Sequence, residues 1–415
     1  MTEGMAEASM RRVVTLGAAL SANKGAASML YATVQNLPDY LGPCSFDVLT
    51  TYPEQDALEP QPGDVRLVSA TPAAMLVSFP LAVLAWVARK MRLPYRLFCR
   101  TAAMKAIADA DVVVDLAGIS FSDGRGIPTL GYNVVMTSVP LLLGRPVVKA
   151  SQALGPFREP LNRVMARMIL PRIATVCARG ASTEGNLHEL GLTNVTRAAD
   201  LAFTLHESPA AQARAADRVS ALDGVVAVLP SAVVHGYCEK HDIDYPGVMA
   251  RFIDRLVADG HDVVIAPHSA RPGTGAGRMN DLPVCRQIRN MVTAPSGCTL
   301  VDDNLPPDEL RAIIGAADVT VTSRFHAMIS ALATCKPVMV VGWSHKYQEV
   351  LDDLGVEGAA IDYSQLTVEE LTARFDDIAA RRDEISKAIE HNLPEVREQS
   401  RASYTAIAAA VGARA

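Results

Sequence analysis

No C-x-x-C pair occurs among the seven cysteines of this 415-residue chain (Cys44, Cys99, Cys177, Cys238, Cys285, Cys298 and Cys335). An odd, scattered set argues for reduced thiols rather than a disulfide framework, so the expected setting is a reducing cytoplasm. A surplus of positive charge is also missing: 39 Lys and Arg stand against 45 Asp and Glu, and a net charge of −6 gives no bulk field for holding nucleic acid. There is no P-loop, no H-E-x-x-H, no Cys/His set at metal-ligand spacing and no G-x-S-x-G elbow, which removes most support for NTP, metal and serine-hydrolase chemistry. Gly273, Gly275 and Gly277 look like a dinucleotide fingerprint, but Arg278 stands where the last glycine belongs and no helix opens directly after the strand, so a mobile loop is expected. No apolar run follows the basic residues of Met1–Arg12 before Val13, and export is not expected. No internal repeat is evident.

What is present reads as α/β. Hydrophobic residues make up 49% and charged residues 20%, and the length suggests two domains with full cores. Strand-length apolar runs alternate with helix-length segments from end to end, the pattern of βαβ units around parallel sheets. In the first half the expected strands are 12–20, 46–49, 65–69, 112–116, 146–150, 173–177 and 195–198. A second series is expected at 225–229, 263–266, 299–301, 319–322 and 338–341. The Ala-, Arg- and Ser-rich stretch 205–222 shows no strand pattern and is read as a linker. The expected layout is an N-terminal domain over 1–204, a second domain over 223–392, and a terminal helix over 393–415 crossing back to the first domain. Two doubly wound, Rossmann-like domains facing a cleft would place ligands beyond the carboxyl ends of their strands, so the search for chemistry concentrates on those loops.

Ala73–Val87 is almost wholly apolar and runs into Arg89, Lys90, Arg92, Arg96 and Arg100. It is short for a membrane span and holds Pro80, which leaves a core helix or a helix resting on an anionic bilayer, a peripheral contact through 73–100.

The strongest constellation is Val319–Gly342. A strand ends at Thr322, Ser323 is placed to cap the next helix, and Arg324 and His326 fall in its first turn, where free backbone N–H groups favour an anion. Arg offers a planar fork for carboxylate or phosphate, and His is the side chain whose proton moves near neutral pH. Other strand-end loops supply similar groups: Asn23, Lys24 and Gly25; Asp123; Gln152; Arg179; His268; and Lys346. Each is expected near substrate because of its place at a strand end.

These residues resemble the polysaccharide pyruvyl transferases, which move the enolpyruvyl unit of phosphoenolpyruvate onto a sugar as a pyruvate ketal. NKGAASML (Asn23–Leu30), SQALGPF (Ser151–Phe157) and DLAF (Asp200–Phe203) are similar to family elements, and Ser323–Gly355 is the most specific. Where the family has an acid after its arginine, this chain reads Arg179-Gly180. The resemblance implies a fold similar to the glycosyltransferase B architecture and places Arg179 and Gln152 near the donor. It also implies a sugar acceptor, free or lipid-linked, for cell-envelope polysaccharide or glycolipid. Phosphoenolpyruvate carries a carboxylate and a phosphate, for which Arg324, Arg179 and Lys346 are cationic candidates. His326 is the expected acid, with His268 or Asp123 as partner, and no metal or further cofactor is expected. A nucleotide-sugar glycosyltransferase is the alternative, but the acids of its E-x7-E pattern would fall at Thr322 and Ser330. A non-catalytic sugar-binding relative is the third reading, against which Arg324 and His326 together argue.

Overall fold

The computed structural model describes residues 10–21, 23–270, 280–342 and 345–413, with the side chains of 345 and 346 left aside. It divides into two compact units. The first comprises the chain through Leu20, Met29–Thr204 and the residues from Glu398; the second comprises Ser21–Ser28 and Leu205–Arg397.

The first unit is built on seven strands: β1 (Arg11–Leu16), β2 (Cys44–Thr50), β3 (Val65–Ser69), β4 (Val112–Asp115), β5 (Val147–Gln152), β6 (Thr175–Arg179) and β7 (Val195–Ala198). Their order is β3-β2-β1-β4-β5-β6-β7, all parallel. Runs such as VVVD in β4 are buried along their whole length because helices cover both faces of such a sheet. The order reverses between β1 and β4, and there the backbones approach closely. A β-carbon at Gly17 (φ +82°) would lie 2.6 Å from the Ala117 nitrogen and 2.8 Å from Asp115 Oδ1, so only glycine fits.

The second unit carries β8 (Val226–Leu229), β9 (Val263–Ile265), β10 (Cys298–Leu300), β11 (Val319–Thr322), β12 (Val338–Val341) and β13 (Ala360–Ile361), in the parallel order β10-β9-β8-β11-β12-β13. This is the doubly wound dinucleotide-domain order, with its switch point between β8 and β11, where Thr322 pairs with Leu229.

Two expectations need correction. The stretch 205–222 is no linker: Ser208 caps a helix, Pro209–Val219, by accepting from Ala211 N–H at 3.1 Å. Arg214 then pairs with the buried Glu309 at 2.6 Å and Arg218 with Asp303 at 2.7 Å, so the helix belongs to the second unit. Its Ala-rich composition resembles a linker only because Ala211 and Ala215 are enough to bury against a neighbour. The terminal helix starts at Arg382, not 393, and runs to Gly412 through Pro394. The Ala73–Val87 run lies in the helix Pro72–Lys90, capped by Thr71, which is only partly core. All seven cysteines are free thiols. The glycine-rich loop with Gly273, Gly275 and Gly277 lies outside the described residues.

Candidate active site

The switch point of the second sheet gathers the chemistry. Beyond β8 the chain turns at Pro230, and Ser231 caps the helix Ala232–Glu239 by accepting from Val233 N–H at 3.2 Å. Beyond β11, Thr322 Oγ1 accepts from Arg324 N–H at 3.0 Å, and the helix Phe325–Ala333 begins. The cap position of that helix is held by Arg324, and the expected cap, Ser323, does other work. Its hydroxyl lies 3.0 Å from the Tyr245 hydroxyl, which accepts from Ser231 N–H at 3.4 Å. One buried phenol thus ties the two switch-point loops together.

Arg324 is not an open fork awaiting an anion. Its Nε donates to Asp281 Oδ2 at 2.9 Å and its Nη2 to Oδ1, a bidentate pair with a fully buried carboxylate. Asp281 Oδ1 also accepts from Ala232 N–H at 2.9 Å. Burial raises this carboxyl above its ordinary value, with Arg324 and the Ala232 N–H pulling the other way.

His326 is the second residue of its helix, and its ring is seated on Gly25, whose added β-carbon would fall 2.1 Å from His326 Nδ1. Gly25 therefore serves as the space for an imidazole as well as an early helix position. Asn23 Oδ1 accepts from Gly25 N–H at 2.9 Å and organises that helix start, where Lys24 is buried. His268, beyond β9, is buried too. Burial first, then the positive charges of His326, Arg324 and Lys24, push its pKa well below the usual histidine value. Its ring is therefore neutral near pH 7, within reach of the charges of Arg324 and Lys24. Tyr347 packs on Phe325 and donates to the Ser323 carbonyl at 3.5 Å; burial raises its hydroxyl to about 12, so it stays protonated.

Asp123, Gln152 and Arg179 belong to the first unit. Asp123 is not a free catalytic carboxylate: Oδ2 accepts from the N–H groups of Arg158 and Glu159 at 2.6 and 3.3 Å, and Oδ1 from Asn162 Nδ2 at 2.7 Å. Both oxygens are used to fold its own loop. Gln152 is fully buried, donating to the Asp115 carbonyl at 2.7 Å and accepting from Ser120 at 2.6 Å. Arg179 donates to the buried Asp200 at 2.6 Å, so both family elements meet in one ion pair. The SQALGPF segment is shaped by Ser151 at φ +53°, Gly155 at φ +91° and a cis Gly155–Pro156 bond. The Lys346 side chain lies outside the described residues.

Sequence reasoning passed over Asp281, Tyr245 and a fully buried pair, Lys149 with Asp115. The Lys149 ammonium also lies 3.3 Å from Ser120 Oγ and 5.3 Å from the centre of the Phe121 ring, under the loop after β4. A charge inside apolar runs such as VVVD and VVKAS was the available signal, since a buried ion needs a partner. Among the described residues no group of three or more His, Cys, Asp or Glu could hold a metal ion.

A family model for polysaccharide pyruvyl transferases matches residues 23–345, from the Asn23 helix start through the His326 helix and beyond. The chain belongs to the polysaccharide pyruvyl transferase family. This pyruvyl transferase is 20% identical over 296 residues to the amylovoran biosynthesis protein AmsJ of Erwinia amylovora, which covers 69% of this chain and 70% of AmsJ. Among solved structures it is similar to S. aureus MnaA with UDP, at a TM-score of 0.57 and 11% identity over 94% of both chains. It is also similar to the Neisseria meningitidis UDP-GlcNAc 2-epimerase bound to UDP-GlcNAc (0.55, 10% identity, 94% of this chain and 97% of the other). A trehalose-phosphate synthase of Burkholderia vietnamiensis gives 0.55 at 12% identity over 98% and 99%. These likenesses are of fold: two parallel-sheet α/β domains of the glycosyltransferase B type. Family and relative together make the pyruvyl transferase an enzyme of polysaccharide biosynthesis acting on a sugar acceptor.

Proposed function

We propose that the enzyme takes phosphoenolpyruvate as donor, binds it at the switch point of the second unit, and transfers its three-carbon unit to two hydroxyls of a sugar as a ketal. The single observation that carries this reading is the grouping of Lys24, Arg324 and His326 around His268, whose pKa is lowered by burial first and by those three groups second. A small dianion with a carboxylate and a phosphate suits such a field. Phosphoenolpyruvate is the co-substrate, and the reaction asks for no further cofactor.

In this account His326 gives a proton to the methylene carbon. The double-bond electrons form the new C–H bond and leave C2 electron-poor. A sugar hydroxyl then attacks C2, and its proton passes to a base; His268, held neutral, can accept it. The bond from C2 to the phosphate oxygen breaks, phosphate departs with its electron pair and takes up a proton, and the second hydroxyl closes the ketal as it loses its own. Lys24 and the Arg324–Asp281 pair hold the donor and stabilise the phosphate as it leaves.

The nucleotide-sugar alternative has the fold likenesses in its favour. Against it, Thr322 and Ser330 stand at the E-x7-E positions and are buried, Thr322 donating to the Leu229 carbonyl at 3.2 Å. A cytoplasmic location and a lipid-linked acceptor belong to the proposal as well.

Thermal-shift titration separates the readings. Phosphoenolpyruvate is expected to raise the melting temperature and UDP- or GDP-sugars to leave it unchanged; the reverse result overturns the donor assignment.

A further inference from the structure

Between Asp64 and Asp109 the chain has no acidic residue and seven basic ones, in a protein whose net charge is −6. The helix Pro72–Lys90 fills much of this stretch, and it leaves most of its large apolar side chains outside. Towards the core of the first unit it presents Met75, Ser78, Ala82, Ala85 and Ala88, mostly small side chains, with Phe79 and Leu81 half-buried beside them. On the opposite stripe Leu76 is 70% exposed, Leu84 50%, and Met91, just past the end, 65%. Val77, Val83 and Val87 continue that stripe at helical spacing. Hydrophobic burial alone would have put the large residues inside and the alanines out. Single exposed leucines need no explanation, whereas a whole helical face of them marks a contact surface.

At the carboxyl end of the stripe lies a pocket of about 420 Å³ lined by Trp86, Arg89, Lys90, Arg92, Leu141 and Gly144. Gly144 leaves room for the Arg89 guanidinium, since a β-carbon there would fall 1.5 Å from its Nη1. The helix stops with Leu93 N–H on the Ala88 carbonyl at 2.8 Å and Arg92 at φ +59°, so an arginine occupies a left-handed position that glycine usually takes. Arg66 and Arg96 are paired with Asp47 and Asp109, and Arg89, Lys90 and Arg92 are the exposed charges beside the stripe.

The charge decides what covers this face. A second copy of the stretch would add only more cations to the contact, because it contains no acid, whereas anionic phospholipid headgroups complement it. Spanning is disfavoured by the same facts: the helix has 19 residues, Pro80 interrupts it, and its alanine face is already committed to the protein.

We propose that this face docks on an anionic phospholipid bilayer. The Leu76–Met91 stripe enters the interface lying along the membrane plane, Trp86 sits at headgroup depth, and the pocket beside it receives a lipid phosphate. The proposal is independent of the donor assignment, since it concerns a different surface and is read without any turnover.

Flotation of the full chain with phosphatidylcholine vesicles and with phosphatidylcholine–phosphatidylglycerol vesicles tests it. The protein is expected to float with the anionic vesicles at low salt, to be released as salt is raised, and to ignore the neutral ones. Leu76→Ser with Leu84→Ser, and separately Arg89→Gln with Arg92→Gln, should each weaken vesicle binding by about tenfold or more while the melting temperature holds. Millimolar inorganic phosphate should not displace the protein, because the apolar stripe adds what a free anion lacks. Three results overturn the proposal: wild-type protein that stays in the soluble fraction with every vesicle, displacement by phosphate alone, or a concentration-dependent dimer that Leu84→Ser abolishes in place of vesicle binding.

Discussion

The imidazole of His326 rests where a side chain of residue 25 would otherwise be: an added β-carbon at Gly25 would lie 2.1 Å from its Nδ1 and 2.7 Å from its Cε1. Gly25→Ala therefore has to push the ring aside, and a displacement near 1 Å at a reacting group is costly. The variant should keep its fold and lose roughly tenfold or more in kcat, with little change in melting temperature. Steady-state kinetics beside a thermal melt checks this; a fully active Gly25→Ala would mean that the ring position does not matter to the chemistry.

His326 and Arg324 should fail differently. His326→Ala is expected to lower kcat by about a hundredfold with donor affinity little changed. Arg324→Ala should raise the donor KM and also destabilise the protein by about 3 kcal/mol, since it leaves the buried Asp281 carboxylate without its ion-pair partner. The double variant Arg324→Ala with Asp281→Asn should regain much of that stability without regaining donor binding. Equal kinetic defects in the two single variants would contradict the division of roles.

The sheets were legible because parallel strands buried on both faces write themselves as unbroken apolar runs: VAVL, VTVT and VMVV each became a strand. Ala360–Ile361 escaped because two residues carry no period. The helix start after β11 was legible, yet the partner of Arg324 was not, since Asp281 lies 43 positions away and nothing local marks it. Asp123 misled for the opposite reason. A glycine-flanked acid at a strand end looks exposed, and only the fold shows Asn162 and two backbone N–H groups closing on it.

The depressed His268 pKa sets a pH dependence with a definite sign. A histidine buried neutral takes its proton more readily in the unfolded chain, so its contribution to stability is complete above the ordinary value of 6.5 and is lost as pH falls below it. Wild type should lose up to about 1.4 kcal/mol per pH unit from this group between pH 6.5 and 5.5. His268→Gln should lack that component. Denaturant melts of both proteins at pH 7.5 and 5.5 supply the comparison, and parallel losses in the two would assign the acid sensitivity to another group.

Lys149 and Asp115 form a buried pair that neither side chain can leave alone. Lys149→Met should destabilise the first unit by about 3 kcal/mol, and Lys149→Met with Asp115→Asn should recover more than half of the loss. Urea unfolding curves of the three proteins measure it. A single variant as stable as wild type would show that the pair is not holding the loop after β4.

The central claim, that phosphoenolpyruvate is the donor and a ketal the product, is tested most directly by incubating the purified enzyme with phosphoenolpyruvate and a panel of sugar acceptors. Free phosphate and acceptor mass are followed together. The account predicts acceptor-dependent phosphate release matched one to one by an acceptor that has gained one pyruvate less one water, with both signals nearly abolished in His326→Ala. Acceptor modified from a nucleotide sugar instead, with phosphoenolpyruvate left intact, would contradict it.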